Sequence, residues 1–311
     1  MDITLIRTFL EVAATGSFVQ AADRLFVTQS AVSLRIKRLE DQLGHPLFTR
    51  SKAGTEPTPE GTAFSAYALS LVKLWEEARQ RIGVPEGFDR ALCVGAEHSL
   101  WAAFGFRWLD GMGARMPGLA LRAEMGQPDR LTRFLVEGVV QAALTYLPQI
   151  RPGLEVEKLF DEDLVMVAGW PDPALDALGG RYVMVDWGPE FMRAHGVDLP
   201  DLRAGRTLAL GGLGLRFVAN RGLAAYVPAR VAAPDLAAGR LHLVPDAPVF
   251  PYPVWLVRHA ALDGDVRDVM TAALRDAVAA TLTVQDGVIE DLEATSEAAV
   301  AVLGAPDPAP D

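Results

Sequence analysis

The sequence predicts an α+β chain of several domains: a small helical unit closed by a hairpin, a long connecting helix, and a larger α/β region. Three observations predict it. Apolar residues recur at helical spacing between Leu5 and Leu43, they recur again in steps of three and four between Phe64 and Ile82, and from Ala91 onward short apolar runs alternate with amphipathic stretches. At 311 residues the chain has room for two or three domains.

Composition excludes several classes. Half the residues are hydrophobic and 22% are charged, which is ordinary globular usage. No run approaches the roughly 18 apolar residues of a membrane span, and MDITLIRTFL lacks a basic-then-apolar leader, so a soluble, cytoplasmic chain with no membrane partner is expected. The single cysteine, Cys93, cannot form an internal disulfide and sits in an apolar run as packing. The five histidines have no metal spacing, no G-x-S-x-G elbow is present, and Asp161-Glu162-Asp163 reads as a solvated turn. No catalytic residue, metal or cofactor is expected, and no enzyme.

Charge is uneven. The formal net charge is −11, but residues 1–60 are balanced at seven basic and seven acidic, whereas residues 262–311 hold two basic and eleven acidic. Between residues 24 and 52 stand Arg24, Arg35, Lys37, Arg38, Arg50 and Lys52 against only Glu40 and Asp41. That local basic footprint suits a nucleic-acid partner despite the acidic whole.

The first helix carries Leu5, Ile6, Phe9, Leu10 and Ala13 on one face and closes at Thr15-Gly16. Ser17 opens the second, with Gln20 completing a capping box, and Phe18, Ala21, Ala22 and Leu25 forming its apolar face. Thr28 caps a third, whose core positions are Val32, Ile36, Leu39 and Leu43, before Gly44 and Pro46 end it. The face opposite that core offers Ser30, Ser33, Leu34 and Lys37, with Gln29 flanking. Hydroxyl, amide and ammonium groups can meet base edges and phosphates, and an exposed leucine can meet a thymine methyl. Leu47–Arg50 then reads as a strand and Ser51–Thr55 as a basic hairpin tip, a wing beside a recognition helix. A plain three-helix unit with a solvated face would share the periodicity alone.

The residues in detail go further. Ala21-Ala22, Leu25, Thr28-Gln29-Ser30-Ala31-Val32-Ser33, Ile36, Leu39-Glu40, Leu43-Gly44, Pro46-Leu47-Phe48 and Arg50, closing with Thr58 and Gly61, resemble the LysR-type transcriptional regulators over about sixty ungapped residues. The resemblance implies a winged helix-turn-helix bound to double-stranded DNA, with Ser17, Thr28, Gln29, Ser30, Ser33, Leu34, Arg35, Lys37 and Arg38 at or near the major groove and Arg50 and Lys52 at the backbone or minor groove. Leu34 departs from the long polar side chain common there, so less hydrogen-bonded readout is implied at that position.

Thr58 and Pro59 start the connecting helix, and Gly83 with Pro85 stops it. Phe64, Ala68, Leu71, Trp75, Ala78 and Ile82 form a seam that one helix cannot bury alone. A second copy of the helix or the chain's own first domain can cover it. The family resemblance implies an antiparallel dimer, alone or paired into a tetramer, reading an interrupted inverted repeat, with RNA polymerase a further partner if the chain activates.

In the last two-thirds, apolar runs at 91–96, 119–123, 142–146, 164–168, 182–185, 207–210, 225–227 and 254–257 alternate with helical candidates at 100–112, 129–137, 189–195, 213–221 and 262–283. This resembles the LysR-type effector domain, an α/β two-lobed periplasmic-binding-protein-like unit. The division implied is a winged domain over 1–58, a linker and dimerisation helix over 59–88, and a regulatory domain over 89–290. Its first lobe takes 90–162 and 259–284, its second 163–258.

Ligands on α/β sheets bind beyond the carboxyl ends of strands, which selects Glu97, His98, Ser99, Gln127, Thr145, Tyr146 and Trp187 for an unknown small-molecule effector. Ser99 reads equally as a helix cap and Trp187 as a packing anchor, while Glu97 and His98 hint at a cationic or polar group. Ser99-Leu100-Trp101, Trp108-Leu109 and Trp187–Phe191 are also similar to the subgroup that includes a repressor of the flagellar master operon. Residues 291–311 read as an acidic, partly disordered tail, with Ala298–Leu303 as a short helix before Ala305–Asp311. The function expected is a sequence-specific transcriptional regulator with a small-molecule-sensing domain. The alternative is an effector-independent DNA-binding repressor or architectural protein whose cleft has collapsed.

Overall fold

The computed structural model describes residues 2–51, 54–82, 84–209, 214–297 and 300–303. Three helices open the chain, α1 (Ile3–Thr15), α2 (Phe18–Arg24) and α3 (Gln29–Leu43), and the last two begin where the caps predict. The Ser17 hydroxyl accepts from the Gln20 amide at 3.3 Å and the Thr28 hydroxyl from the Ala31 amide at 3.3 Å. Gly16 and Gly44 end α1 and α3 at φ 60° and 77°, the left-handed turn that favours glycine. Antiparallel β1 (Phe48–Ser51) and β2 (Gly54–Pro57) form the wing, and α4 (Pro59–Ile82) leaves it. Phe9, Ile6, Val32, Ile36, Leu39 and Leu47 make a separate small core. Leu43, expected in that core, is instead 37% exposed, at the last residue of α3 and outside the cluster that Val32, Ile36 and Leu39 join.

The α/β region contains β3 (Arg90–Ala96), α5 (His98–Leu100), α6 (Phe106–Arg115), β4 (Leu119–Met125), α7 (Pro128–Val136), β5 (Ala142–Thr145) and β6 (Leu154–Ala168). Next come β7 (Met184–Val185), α8 (Pro189–Asp198), β8 (Thr207–Leu208), α9 (Gly214–Asn220), β9 (Ala224–Pro228), α10 (Ala229–Ala237), β10 (His242–Leu243), β11 (Phe250–His259) and α11 (Gly264–Thr295). One sheet runs in the order β10-β6-β11-β5-β3-β4, with β9 also on β6, and a separate parallel pair joins β7 to β8.

Two long strands carry this sheet from one lobe to the other. β6 and β11 pair antiparallel from Leu164 opposite Phe250 to Leu154 opposite His259, with a bulge at Val254/Trp255. Apolar runs alone point only to 164–168 and 254–257 as strand, and leave Asp161-Glu162-Asp163 as a solvated turn. All three acids lie within β6, and Glu162 is fully buried. The charged alternation in LEVEKLFDED hides the strand's first half, and Pro251 and Pro253, which lack a ladder donor, hide the start of β11.

The helix expected at 100–112 is broken. Ala102 (φ −61°, ψ 126°) and Ala103 (φ 61°, ψ −39°) interrupt a π-helical turn at Trp101–Gly105 between α5 and α6. Ala103 occupies a region that costs a non-glycine residue about 1–3 kcal/mol.

At the other end the chain stays ordered beyond its expected limit. α11 runs to Thr295 with Gln285, Val288 and Leu292 buried, so the helix continues past the boundary expected at 290 and takes the first residues of the expected tail. Val302 bridges Val249 in parallel, and so 300–303 is extended rather than the expected helix. Residues 298, 299 and 304–311 lie outside the described residues.

Candidate nucleic-acid interface and interlobe cleft

The reading face follows from what α3 buries. Val32, Ile36 and Leu39 face inward. Thr28, Gln29, Ser30, Lys37 and Arg38 are consequently exposed, Ser33 is half-buried at the margin, and Leu34 is 51% exposed. The Thr28 and Ser30 hydroxyls share a hydrogen bond at 3.0 Å, which holds the first turn together at the surface. Arg35 turns the other way and donates toward the Thr8 hydroxyl of α1 at 3.5 Å. Ser17, half-buried, has its hydroxyl committed to capping α2.

The wing is tied to this face by its backbone. The Leu47 amide donates to Glu40 of α3 at 2.7 Å, and the Thr55 amide to the Gly16 carbonyl at 2.9 Å. Arg50 stands in β1 opposite Thr55, and Lys52 lies outside the described residues. The Thr58 hydroxyl accepts from the Gly61 amide at 2.9 Å. A Cβ on Gly61 would lie 2.2 Å from the Leu47 carbonyl, so only glycine fits where helix and wing touch.

Along α4 the seam divides. Phe64 packs edge-on to Phe9 at 5.0 Å, Ala68 is fully buried, and Leu71 packs on the same small core. The chain's own winged domain thus covers the first three seam positions, which are not free to meet a partner. Beyond them Trp75 is 47% and Ile82 86% exposed, Ala78 is half-buried, and Tyr67 and Leu74 are also exposed.

In the α/β region four of the strand-end residues come together. Glu97 accepts from the Thr145 hydroxyl at 2.7 Å and the Tyr146 amide at 2.8 Å, while burial pushes its carboxyl above the usual range. The Ser99 hydroxyl donates to the Tyr146 hydroxyl at 3.2 Å, and that hydroxyl donates to Glu162. Burial first and the Glu162 charge second hold the Tyr146 phenol well above its ordinary value. Trp187 sits edge-on to Tyr146 at 6.3 Å, but its indole nitrogen points away and donates to the Tyr226 carbonyl at 2.9 Å, as an anchor would. His98 is half-buried, with a buried Nδ1 that has no hydrogen-bond partner. Gln127 stands exposed before α7, outside the cluster, and its side chain caps nothing.

Two buried charges at the centre escaped the sequence expectation. Arg230, in the first turn of α10, ion-pairs with Glu162 of β6. A signal existed for Arg230, which follows the end of β9 just as Ser99 follows β3. For Glu162 there was none, because only long-range pairing buries it. Among the described residues no group of three His, Cys, Asp or Glu side chains could hold a metal ion, and no helix is long and apolar enough to cross a membrane.

Comparison with known proteins bears on both halves. Residues 3–62 match a family model described as the bacterial regulatory helix-turn-helix protein, lysR family, and residues 85–279 match the LysR substrate binding domain. The HTH-type transcriptional regulator HdfR of Yersinia pestis (strain Pestoides F) is 32% identical over 201 residues, which cover 61% of this chain and 68% of HdfR. HdfR of Yersinia pseudotuberculosis (serotype O:1b) gives the same figures. ArgP from Mycobacterium tuberculosis shares the fold at a TM-score of 0.55 and 24% identity, covering 89% of this chain and 97% of that one. A full-length OxyR variant from Pseudomonas aeruginosa does so at 0.52 and 23%, covering 89% and 94%.

Proposed function

This chain belongs to the LysR-type family of bacterial transcriptional regulators, which are non-enzymatic DNA-binding proteins with an effector-binding domain, and on that premise we propose how its own residues divide the work. Gln29, Ser30, Ser33 and Leu34 read base edges in the major groove, Thr28, Lys37, Arg38, Arg50 and Lys52 hold phosphate, and Ser17 and Arg35 shape the domain from within. The observation that carries this is the exposed first turn of α3, capped at Thr28, in the same small domain as the β1–β2 wing. Polar side chains at a helix N-terminus and a hairpin beside it fit one groove and its borders.

The chain works as a cytoplasmic homodimer, or a pair of dimers, on an interrupted inverted repeat. Its contact surface is the exposed half of the α4 seam, Trp75, Ala78 and Ile82, widened by Tyr67 and Leu74. Apolar side chains this exposed along one helix favour a partner. The winged domain takes 1–58, the linker 59–88, and the regulatory domain extends from 89 to the end of α11. The cleft between the lobes, around Glu97, Ser99, Thr145 and Tyr146, is the place for a small effector. Resemblance over Ser99–Trp101, Trp108-Leu109 and Trp187–Phe191 supports the subgroup that includes a repressor of the flagellar master operon.

Pull-down of genomic fragments by the purified protein, with sequencing of what is bound, tests the reading. A short inverted repeat enriched by wild type and lost by the Gln29→Ala, Ser33→Ala variant is expected. Uniform recovery of random DNA by both proteins would reject it.

A further inference from the structure

Arg230 is 2% exposed and plays no part in reading DNA. It belongs to the second lobe, yet its guanidinium reaches the first. Nη2 donates to the Ser99 carbonyl at 2.8 Å, Nη1 donates to the Ala102 carbonyl, and Nε donates to Oε1 of Glu162 in the strand that joins the lobes. The other Glu162 oxygen accepts from Tyr146, so both are occupied. In an unbroken helix the Ser99 and Ala102 carbonyls would face the amides of residues 103 and 106. Here the break at Ala102–Ala103 frees them, and the Phe106 amide pairs with the Trp101 carbonyl instead.

A carboxylate and two carbonyls set around a planar, three-pronged donor make a receptor for a guanidinium, and a lysine ammonium would not match it. We infer that the interlobe cleft is a guanidinium-binding site that holds the chain's own Arg230 as a tethered occupant and latches the two lobes shut without a small molecule. The inference rests on the two-lobed regulator reading and adds what fills the cleft. A free cation must displace a group held at high effective concentration, so the wild-type cleft resists guanidinium compounds while an emptied one accepts them.

The test uses full-length protein. Arg230→Ala is expected to melt below wild type and to recover at least half of that loss in millimolar ethylguanidinium, but not in tetramethylammonium or sodium at equal ionic strength. Wild type should not respond. Absence of recovery, or equal recovery with tetramethylammonium, overturns the inference.

A second measurement does not depend on that variant folding. Nitroxide labels at Arg107→Cys and Arg216→Cys, in a Cys93→Ala background, report the separation of the lobes by electron resonance. Wild type should give one narrow distance with no metabolite added, and Arg230→Lys a broader or longer distribution. A broad wild-type distribution, or an unchanged Arg230→Lys one, overturns the latch. Binding to the inverted repeat, measured alongside, separates the two readings. A failed latch with intact sequence-specific binding rejects only the latch, and a working latch without such binding rejects the regulator assignment.

Discussion

Glu11 of α1 and Arg151, in the segment before β6, lie 3.9 Å apart between Oε1 and Nε with both side chains almost fully buried. The pair joins the DNA-reading domain to the first lobe of the same chain. Arg24 reaches the same Glu11 oxygen at 3.4 Å, so the carboxylate answers to both sides of the contact. Burial raises the Glu11 carboxyl above its ordinary value, and the two arginines pull it back.

Arg151→Ala removes one of those arginines, so the Glu11 carboxyl rises further. An acid whose folded pKa is raised costs the folded state progressively as pH rises from the unfolded value to the folded one, and the cost vanishes when the group is protonated in both states. The variant should therefore lose more stability at about pH 8 than at about pH 5. The loss at the higher pH should fall below the roughly 3–5 kcal/mol of a fully buried broken pair, because Arg24 remains. Equal losses in thermal unfolding at the two pH values would contradict this.

Asp163 makes a second pH-dependent element. Burial first, then the charges of Asp161, Glu162 and Asp286, raise its carboxyl from 3.8 to about 6 against a hydrogen bond with Gln285. The unfolded chain releases this proton before the folded chain does, so its contribution to stability is present below 3.8 and is lost as pH rises toward 6. Asp163→Asn should melt above wild type at neutral pH, with the difference shrinking as pH falls through that window. A constant difference across the titration would show that Asp163 is not its source.

On DNA, Gln29→Ala and Ser33→Ala should narrow the gap between operator and random sequence, since base-edge contacts carry the discrimination. Arg50→Ala should weaken both kinds of binding alike and lower the slope of affinity against salt by about one. Salt-dependent fluorescence anisotropy on both duplexes checks the division. Parallel effects of all three substitutions on random DNA would defeat it.

Trp75→Asp places a charge in the exposed half of the α4 seam and should halve the mass in solution by light scattering. Phe64→Ala should instead lower stability, because Phe64 packs against Phe9 inside its own domain. An unchanged mass for Trp75→Asp would reject α4 as the dimer contact.

The end of α11 belongs to the core. Leu292→Ala empties a side chain that is 1% exposed and should cost about 2–5 kcal/mol in chemical unfolding. A silent Leu292→Ala would return this segment to the tail.

What the sequence determined by itself is the part written in neighbouring residues. Ser17 and Thr28 cap the next helix within three positions, Gly16 and Gly44 turn the chain locally, and Val32, Ile36 and Leu39 recur at the helical period, so the reading domain was legible down to its exposed face. The seam of α4 was legible as a stripe, but periodicity is indifferent to what covers it, and only packing showed that α1 takes the first half. β6 was hidden because a strand rich in acids becomes a core strand only when β11 and β9 flank it. The buried polar cluster around Glu162 and Arg230 was decided by tertiary structure alone. Glu162 and Arg230 lie 68 positions apart, and although Arg230 follows a strand end, no local rule buries Glu162 or pairs the two. A buried charge persists only where a distant partner compensates for its lost hydration, and only the folded chain brings that partner within reach.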